Sequence, residues 1–461
     1  MKQYVDLHPP GYHAQRRISP ARRFGISRDR NGGRMRLLRN ALLMLRERLA
    51  GRTRVKASLY YGGASILSQV LRFAGVVLST RLIATEQFGL FAQASLWLSF
   101  AGLIKEIGQS QALASYSGKD RRYSVFDFQI NAGLSFIAAL AMWVAAHWLP
   151  GFPEALRSMA PMLSLILVLD GLSQTGVLMA QKTFRFRLVG GMTIAGTITW
   201  LAVIAIFSTR TEGLTVLLLA QAAESAVRLL VLTPAVIWPY VGWVNSPELR
   251  TYYFRKFAPV LIPQLLLQMV ASRIDFMLLS ILSGVRELGI YERMLQFIRI
   301  PWSLSINLID QVLTASYAKE QTDLPALRNT MRKANILLGT AAGGAVLAVS
   351  LAYCLFLPRI VGADWAAVIL RHWWFALPYA LLYPLGVNLN LFFLGTGQPK
   401  LLLICTAMQV ILDALFGVWL AGWYGAAGML VARAVTQTLL LSWQIRNVRR
   451  RLAGGPAAES Q

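Results

Sequence analysis

The sequence predicts an all-α integral membrane protein, with about twelve transmembrane helices in two six-helix parallel-repeat halves around a central cavity. Three observations lead there. Hydrophobic residues make up 56% and charged residues 15% of the 461 positions, and the mean hydropathy is +0.50, far more apolar than a soluble domain requires. Apolar runs of ~20 residues, the length that crosses a bilayer core about 30 Å thick, recur along the chain. Lysine and arginine alternate between crowded and nearly empty loops, as the positive-inside rule demands.

Residues 1–54 are Arg-rich and lack a long apolar run. They read as a disordered cytoplasmic segment drawn to anionic lipid headgroups, without a cleavable signal peptide and with Met35 and Met44 as alternative starts. A first half, 55–241, is expected to hold helices near 57–82, 86–107, 125–149, 155–180, 187–208 and 213–239. A second half, 242–449, should hold them near 254–282, 288–315, 333–358, 365–394, 400–421 and 424–446, before a cytoplasmic tail, 450–461. Charge supports the parity of this count. Lys119, Arg121 and Arg122, then Lys182, Arg185 and Arg187, then Arg250, Arg255 and Lys256, then Lys319, Arg328, Arg332 and Lys333 fall on the side of the basic N-terminus, while the other side holds only Arg157, Arg210, Arg286 and Arg359. Both termini are therefore expected in the cytoplasm. The net charge of +25 follows from topology and not from nucleic-acid binding.

A shift of 200 residues lays TRLIATEQFGLFAQ (80–93) on SILSGVRELGIYER (280–293), with Gly89 on Gly289 and Phe91 on Tyr291. It joins helices one and two to seven and eight. Six helices per half give both halves the same orientation, as in transporters whose substrate site lies between parallel repeats.

Charges inside the spans are the candidate site. Each costs ~2.5–3.5 kcal/mol or more against lipid, so it must face protein or water. At helical spacing Glu292, Gln296, Arg299, Ser303 and Asp310 form one stripe in helix eight, and Gly62, Ser65, Gln69, Arg72 and Ser79 another in helix one. Helix six offers Gln221, Glu224 and Arg228, the last two spaced for an ion pair. Helix seven lines up Gln264, Gln268 and Asp275, and its Pro259 and Pro263 should kink it as a gate. These charges are expected to face a hydrated interior between the halves. Arg72 and Arg299 lead, because neither has an acid one turn away in its own helix. Arg228 and Arg433 rank second, and Glu106, Asp170, Asp275 and Glu292 are candidates for ion coupling or gating. Arg81, Arg293 and Arg371 lie near helix ends, where long side chains snorkel to the interface. Arg273 has no assignment.

Enzyme patterns are missing. No HExxH, GxSxG or P-loop occurs, Cys354 and Cys405 sit within predicted spans, His8, His13, His147 and His372 are scattered, and no loop is long enough for a catalytic domain. No metal or cofactor is expected.

Specific words in the chain resemble the polysaccharide-transport (Wzx-type oligosaccharide flippase) family of the multidrug/oligosaccharidyl-lipid/polysaccharide exporter superfamily. They are FGLFAQASLWLSFAGLIKEIGQSQAL in the first half and RIDFMLLSILSGVRELGIYERMLQFIRIP in the second, where Asp275, Leu288, Gly289, Tyr291 and Pro301 match the family pattern. ASYAKEQTDLPALRNTMRKA and IVGADWAAVILRHWW follow, with Thr314 where the family often has proline. The resemblance covers about residues 55–450. It implies a flippase of the bacterial cytoplasmic membrane that moves polyprenyl-pyrophosphate-linked oligosaccharide from the inner to the outer leaflet by alternating access, for exopolysaccharide, capsule or O-antigen (lipopolysaccharide) biosynthesis. Arg72 and Arg299 would hold the diphosphate, with coupling to an H+ or Na+ gradient left open. Expected partners are the bilayer, the lipid-linked glycan and a polysaccharide polymerase with its export machinery, and no nucleic acid. The alternatives are a cation-coupled multidrug exporter of the same fold and a membrane glycosyltransferase or polymerase.

Overall fold

Long apolar runs close their backbone hydrogen bonds within the segment when helical, which a bilayer requires of any span. The computed structural model describes residues 62–105, 121–183, 185–238, 241–251, 254–255, 258–306, 313, 316–317, 319–321 and 323–453. These residues contain helices and turns and no strand. The basic segment 1–54 and the tail beyond 453, expected as cytoplasmic, lie outside them.

The first half holds α1 (Gly62–Leu82), α2 (Thr85–Lys105), α3 (Arg121–Trp148), α4 (Ala160–Lys182), α5 (Phe186–Phe207) and α6 (Gly213–Leu232). The second holds α7 (Ala258–Leu282), α8 (Gly284–Ile306), α9 (Leu324–Val361) and α10 (Ala363–Gly395). The last helical run, Pro399–Leu452, breaks at Gly425, whose φ of 55° and ψ of −133° are open chiefly to glycine. It therefore comprises α11 (399–424) and α12 (426–452). All of these but α8 lie in runs apolar enough to cross a membrane. α8 is a 23-residue helix that carries Arg286, Glu287, Glu292, Arg293 and Arg299.

Several ends extend past the hydropathy windows. α9 begins at Leu324, where Asp323 Oδ1 accepts the Ala326 N–H at 3.1 Å as an N-cap, and α12 continues through Arg449, Arg450 and Arg451. Arginine and lysine are good helix formers, so a helix leaving the bilayer keeps its hydrogen bonds while its hydropathy falls. The expected proline gate is also narrower. Pro259 stands in the first turn of α7, where no N–H is needed, and only Pro263 lies in the helix interior.

In the first half α3 packs on α4, α5 on α6, and α6 on α4. In the second, α7 and α10 pack against the α11–α12 run, and α9 against α10. α2 packs against α8 and α7 across the seam. One apolar cluster spans that seam, joining Val76, Ala92 and Leu96 to Phe276, Tyr291 and Phe297.

The 200-residue repeat is visible as reciprocal contacts at the seam. A Cβ on Gly89 would collide with the carbonyl of Val285, and one on Gly289 with the carbonyl of Thr85, its counterpart. Glu86 and Arg286, also counterparts, approach to 3.9 Å. Reciprocity of this kind is the mark of a two-fold relation. It extends to the ends of the halves. Gln87 Oε1 accepts the Leu214 N–H at the start of α6 at 3.0 Å, and Glu287 Oε2 accepts the Ala426 N–H at the start of α12 at 2.8 Å.

Candidate functional site

In the first half the charges gather on α6. Its apolar face binds it to α4 and α5, which turns Glu224 inward to 5% exposure. Gly196 of α5 makes the approach possible, since a Cβ there would stand 3.2 Å from Glu224 Cγ. Arg72 of α1 donates to Glu224 Oε1 at 2.5 Å, and Arg228, one turn further along α6, donates to the same oxygen. The Arg72 guanidinium also lies 5.5 Å from the centre of the Trp200 ring, a cation–π contact. Ser68 and Thr197 share a hydrogen bond of 2.7 Å beside it. Gln69, one turn before Arg72, is half-buried. Next to Glu224, Ser225 donates to Asp170 Oδ1 of α4 at 2.6 Å.

Two guanidiniums on one carboxylate leave the trio with a net positive charge. The arginine side chains are 38% and 34% exposed, against 6% for the acid. The cations therefore stand on the open side, and planar guanidinium donors of this kind suit phosphate oxygens.

The second half holds a trio of opposite sign on α7, α11 and α12, of which α7 and α12 correspond to α1 and α6. Arg433 of α12 reaches Asp275 of α7 at 2.6 Å and Asp413 of α11 at 3.0 Å, with both acids and the base almost fully buried. Tyr291 of α8 donates to Asp275 Oδ2 at 2.6 Å. This corrects the ranking of Arg433 as a cavity donor. Its guanidinium is taken up by two carboxylates inside packed protein, because an unpaired buried ion costs several kcal/mol. Asp275 is held in the same way.

The stripe on α8 is corrected likewise. Arg293 does not snorkel: it is 2% exposed, donates to Gln296 Oε1 at 2.7 Å and lies 3.2 Å from the centre of the Phe88 ring. Gln296 in turn donates to Glu292 Oε1 at 2.8 Å. Glu292, Gln296 and Arg293 thus form a chain of hydrogen bonds within the fold, with Arg293 Nε buried and outside it, instead of facing a hydrated interior. Arg81 and Arg371 are exposed, and so is Gln268 on α7. Arg273 lies 5.3 Å from the Phe276 ring centre. Glu106, and the side chains of Arg299 and Pro259, lie outside the described residues.

Trp200, Asp413 and the capping pair Gln87 and Glu287 went unmarked in the sequence as site residues. A signal existed for the caps: the 200-residue register lays Gln87 on Glu287. Nothing in the sequence pairs Asp413 with Arg433.

Comparisons with known proteins agree with this architecture. The family model described as polysaccharide biosynthesis protein matches residues 77–370. None of the curated proteins matches significantly. Among solved structures, the lipid II flippase MurJ in an inward closed conformation has a TM-score of 0.64 at 12% identity, covering 87% of this chain and 89% of that one. An inward-facing multidrug resistance transporter of the MATE family has a TM-score of 0.60 at 14% identity, covering 84% and 95%. A MOP-superfamily transporter from Pyrococcus furiosus, whose binding pocket is described as of reverse polarity, has a TM-score of 0.55 at 16% identity, covering 87% and 96%. At these identities the likeness is one of fold. With a two-repeat helical architecture and a family match over more than half its length, the chain belongs to the polysaccharide biosynthesis protein family and has the fold of the MOP-superfamily transporters.

Proposed function

We propose that the protein is a flippase that carries polyprenyl-pyrophosphate-linked oligosaccharide from the inner to the outer leaflet of a bacterial cytoplasmic membrane, with both termini cytoplasmic, for surface polysaccharide synthesis. The observation that carries this reading is the convergence of Arg72 and Arg228 on one carboxylate within the helix bundle. A diphosphate cannot cross hydrocarbon unaided, because its desolvation costs many kcal/mol. Guanidiniums replace its water, while the polyprenyl tail stays in lipid. Family membership supports the same class of cargo, and the halves rock about their seam to present the site to each leaflet in turn. A polysaccharide polymerase and export machinery would take the product.

The test is made in a deletion strain of the source organism. Completed lipid-linked repeat units should accumulate on the cytoplasmic leaflet and clear when the intact gene returns. An unchanged pool removes the flippase reading.

A second reading, a cation-coupled multidrug exporter, is favoured by the acid-rich trio of Asp275, Asp413 and Arg433 and by the fold shared with a multidrug resistance transporter. It requires that the same deletion leave the lipid-linked pool unchanged and raise sensitivity to cationic drugs.

A further inference from the structure

Arg72 and Arg228 approach a single atom, Glu224 Oε1, from helices separated by most of the first half. Two guanidiniums brought this close repel one another unless an anion lies between them. Glu224 is that anion, and it is placed behind the cations, 6% exposed where they are 38% and 34% exposed. Its stem lies against Gly196 of α5, and the Trp200 ring also contacts the Arg72 guanidinium. We propose that Glu224 is a resident stand-in for the substrate's diphosphate: it keeps Arg72 and Arg228 converged while the site is empty, and it gives way when a diphosphate oxygen takes the place of Oε1. This rests on the flippase reading and adds a specificity device to it.

The charge count explains what such a competitor selects. One carboxylate neutralises one of two guanidiniums. A diphosphate diester brings two negative charges and several acceptor oxygens to the same donors, so it gains where a ligand with a single charge only matches Glu224. The resident acid thereby sets a threshold that lipid-linked diphosphates pass and singly charged anions do not.

The test uses the full-length protein purified in detergent and inorganic pyrophosphate as the probe, followed by titration calorimetry. Removing a charged competitor for both arginines should tighten pyrophosphate binding about ten-fold or more in Glu224→Gln relative to the unaltered protein. A further Arg228→Gln change should abolish the gain. If Glu224→Gln does not fold, Glu224→Asp carries the test: its shorter side chain cannot span both guanidiniums, so binding should tighten by a smaller factor. A folded Glu224→Gln or Glu224→Asp variant that binds no tighter overturns the proposal. The two readings fail separately. Tighter binding supports the stand-in even if the deletion strain accumulates no lipid-linked glycan. Unchanged binding of pyrophosphate to the purified variants, with accumulation of the glycan in the deletion strain, sinks the stand-in and leaves the flippase.

Discussion

Gly89 of α2 and Gly289 of α8 meet across the seam between the halves, where a Cβ on Gly289 would lie 2.9 Å from the Gly89 amide nitrogen. The two are counterparts in the 200-residue repeat, so the local two-fold relation runs between them. Backbone on backbone is the closest packing that two helices can reach, and here it joins the two halves.

Gly289→Ala should destabilise the protein. Alanine gains roughly 0.5–1 kcal/mol in a helix interior over glycine, but overpacking costs about 1–3 kcal/mol, and the atoms met are backbone, which cannot rotate away. Thermal unfolding in detergent should show a lower Tm for both Gly289→Ala and Gly89→Ala, and a rise in either would contradict the close crossing.

Arg433→Gln should be strongly destabilising. It leaves Asp275 and Asp413 buried without a counter-charge, a loss of about 3–5 kcal/mol. The variant in which Arg433, Asp275 and Asp413 all become amides should recover much of the stability. If the single change and the triple change unfold at the same temperature, the trio is not a coupled unit.

Glu287→Ala and Gln87→Ala remove matching acceptors from the starts of α12 and α6. Each should cost about 0.5–2 kcal/mol, the usual value of a lost N-cap. Hydrogen exchange at Ala426 and Leu214 reads the effect directly. Unchanged protection at Ala426 in the Glu287 variant would show that the contact caps nothing.

Arg72→Ala and Arg228→Ala should separate folding from transport. In either variant Glu224 keeps one guanidinium, so the amount of membrane-inserted protein should stay near normal. Lipid-linked glycan should nevertheless accumulate as in the deletion strain, and Arg299→Ala should do the same. Normal glycan export by the Arg72 and Arg228 variants would remove both from the site.

The helices were readable because burial in lipid is a local property. Each apolar run from Gly62 to Leu452 announces itself without knowledge of its neighbours, and only α8 falls below the threshold, because Arg286, Glu287, Glu292, Arg293 and Arg299 lower its hydropathy. The candidate site was readable by halves. Arg228 and Glu224, one turn apart, could be paired from spacing alone. Arg72 drew attention because it lacked a partner in its own helix, and its partner came from α6. Arg293 misled, since nearness to a helix end says nothing about Phe88 across the seam.

By itself the sequence determined that this chain is a bundle of some twelve membrane helices in two related halves, since transfer free energy and loop charge are summed residue by residue along the chain. The tertiary structure alone decided which charges meet: Arg72 with Glu224 across 152 positions, and Arg433 with Asp275 across 158. Ion pairing falls off with distance in space and leaves no period in the sequence, so helix packing chose the open, cation-rich trio in one half and the closed, acid-rich trio in the other.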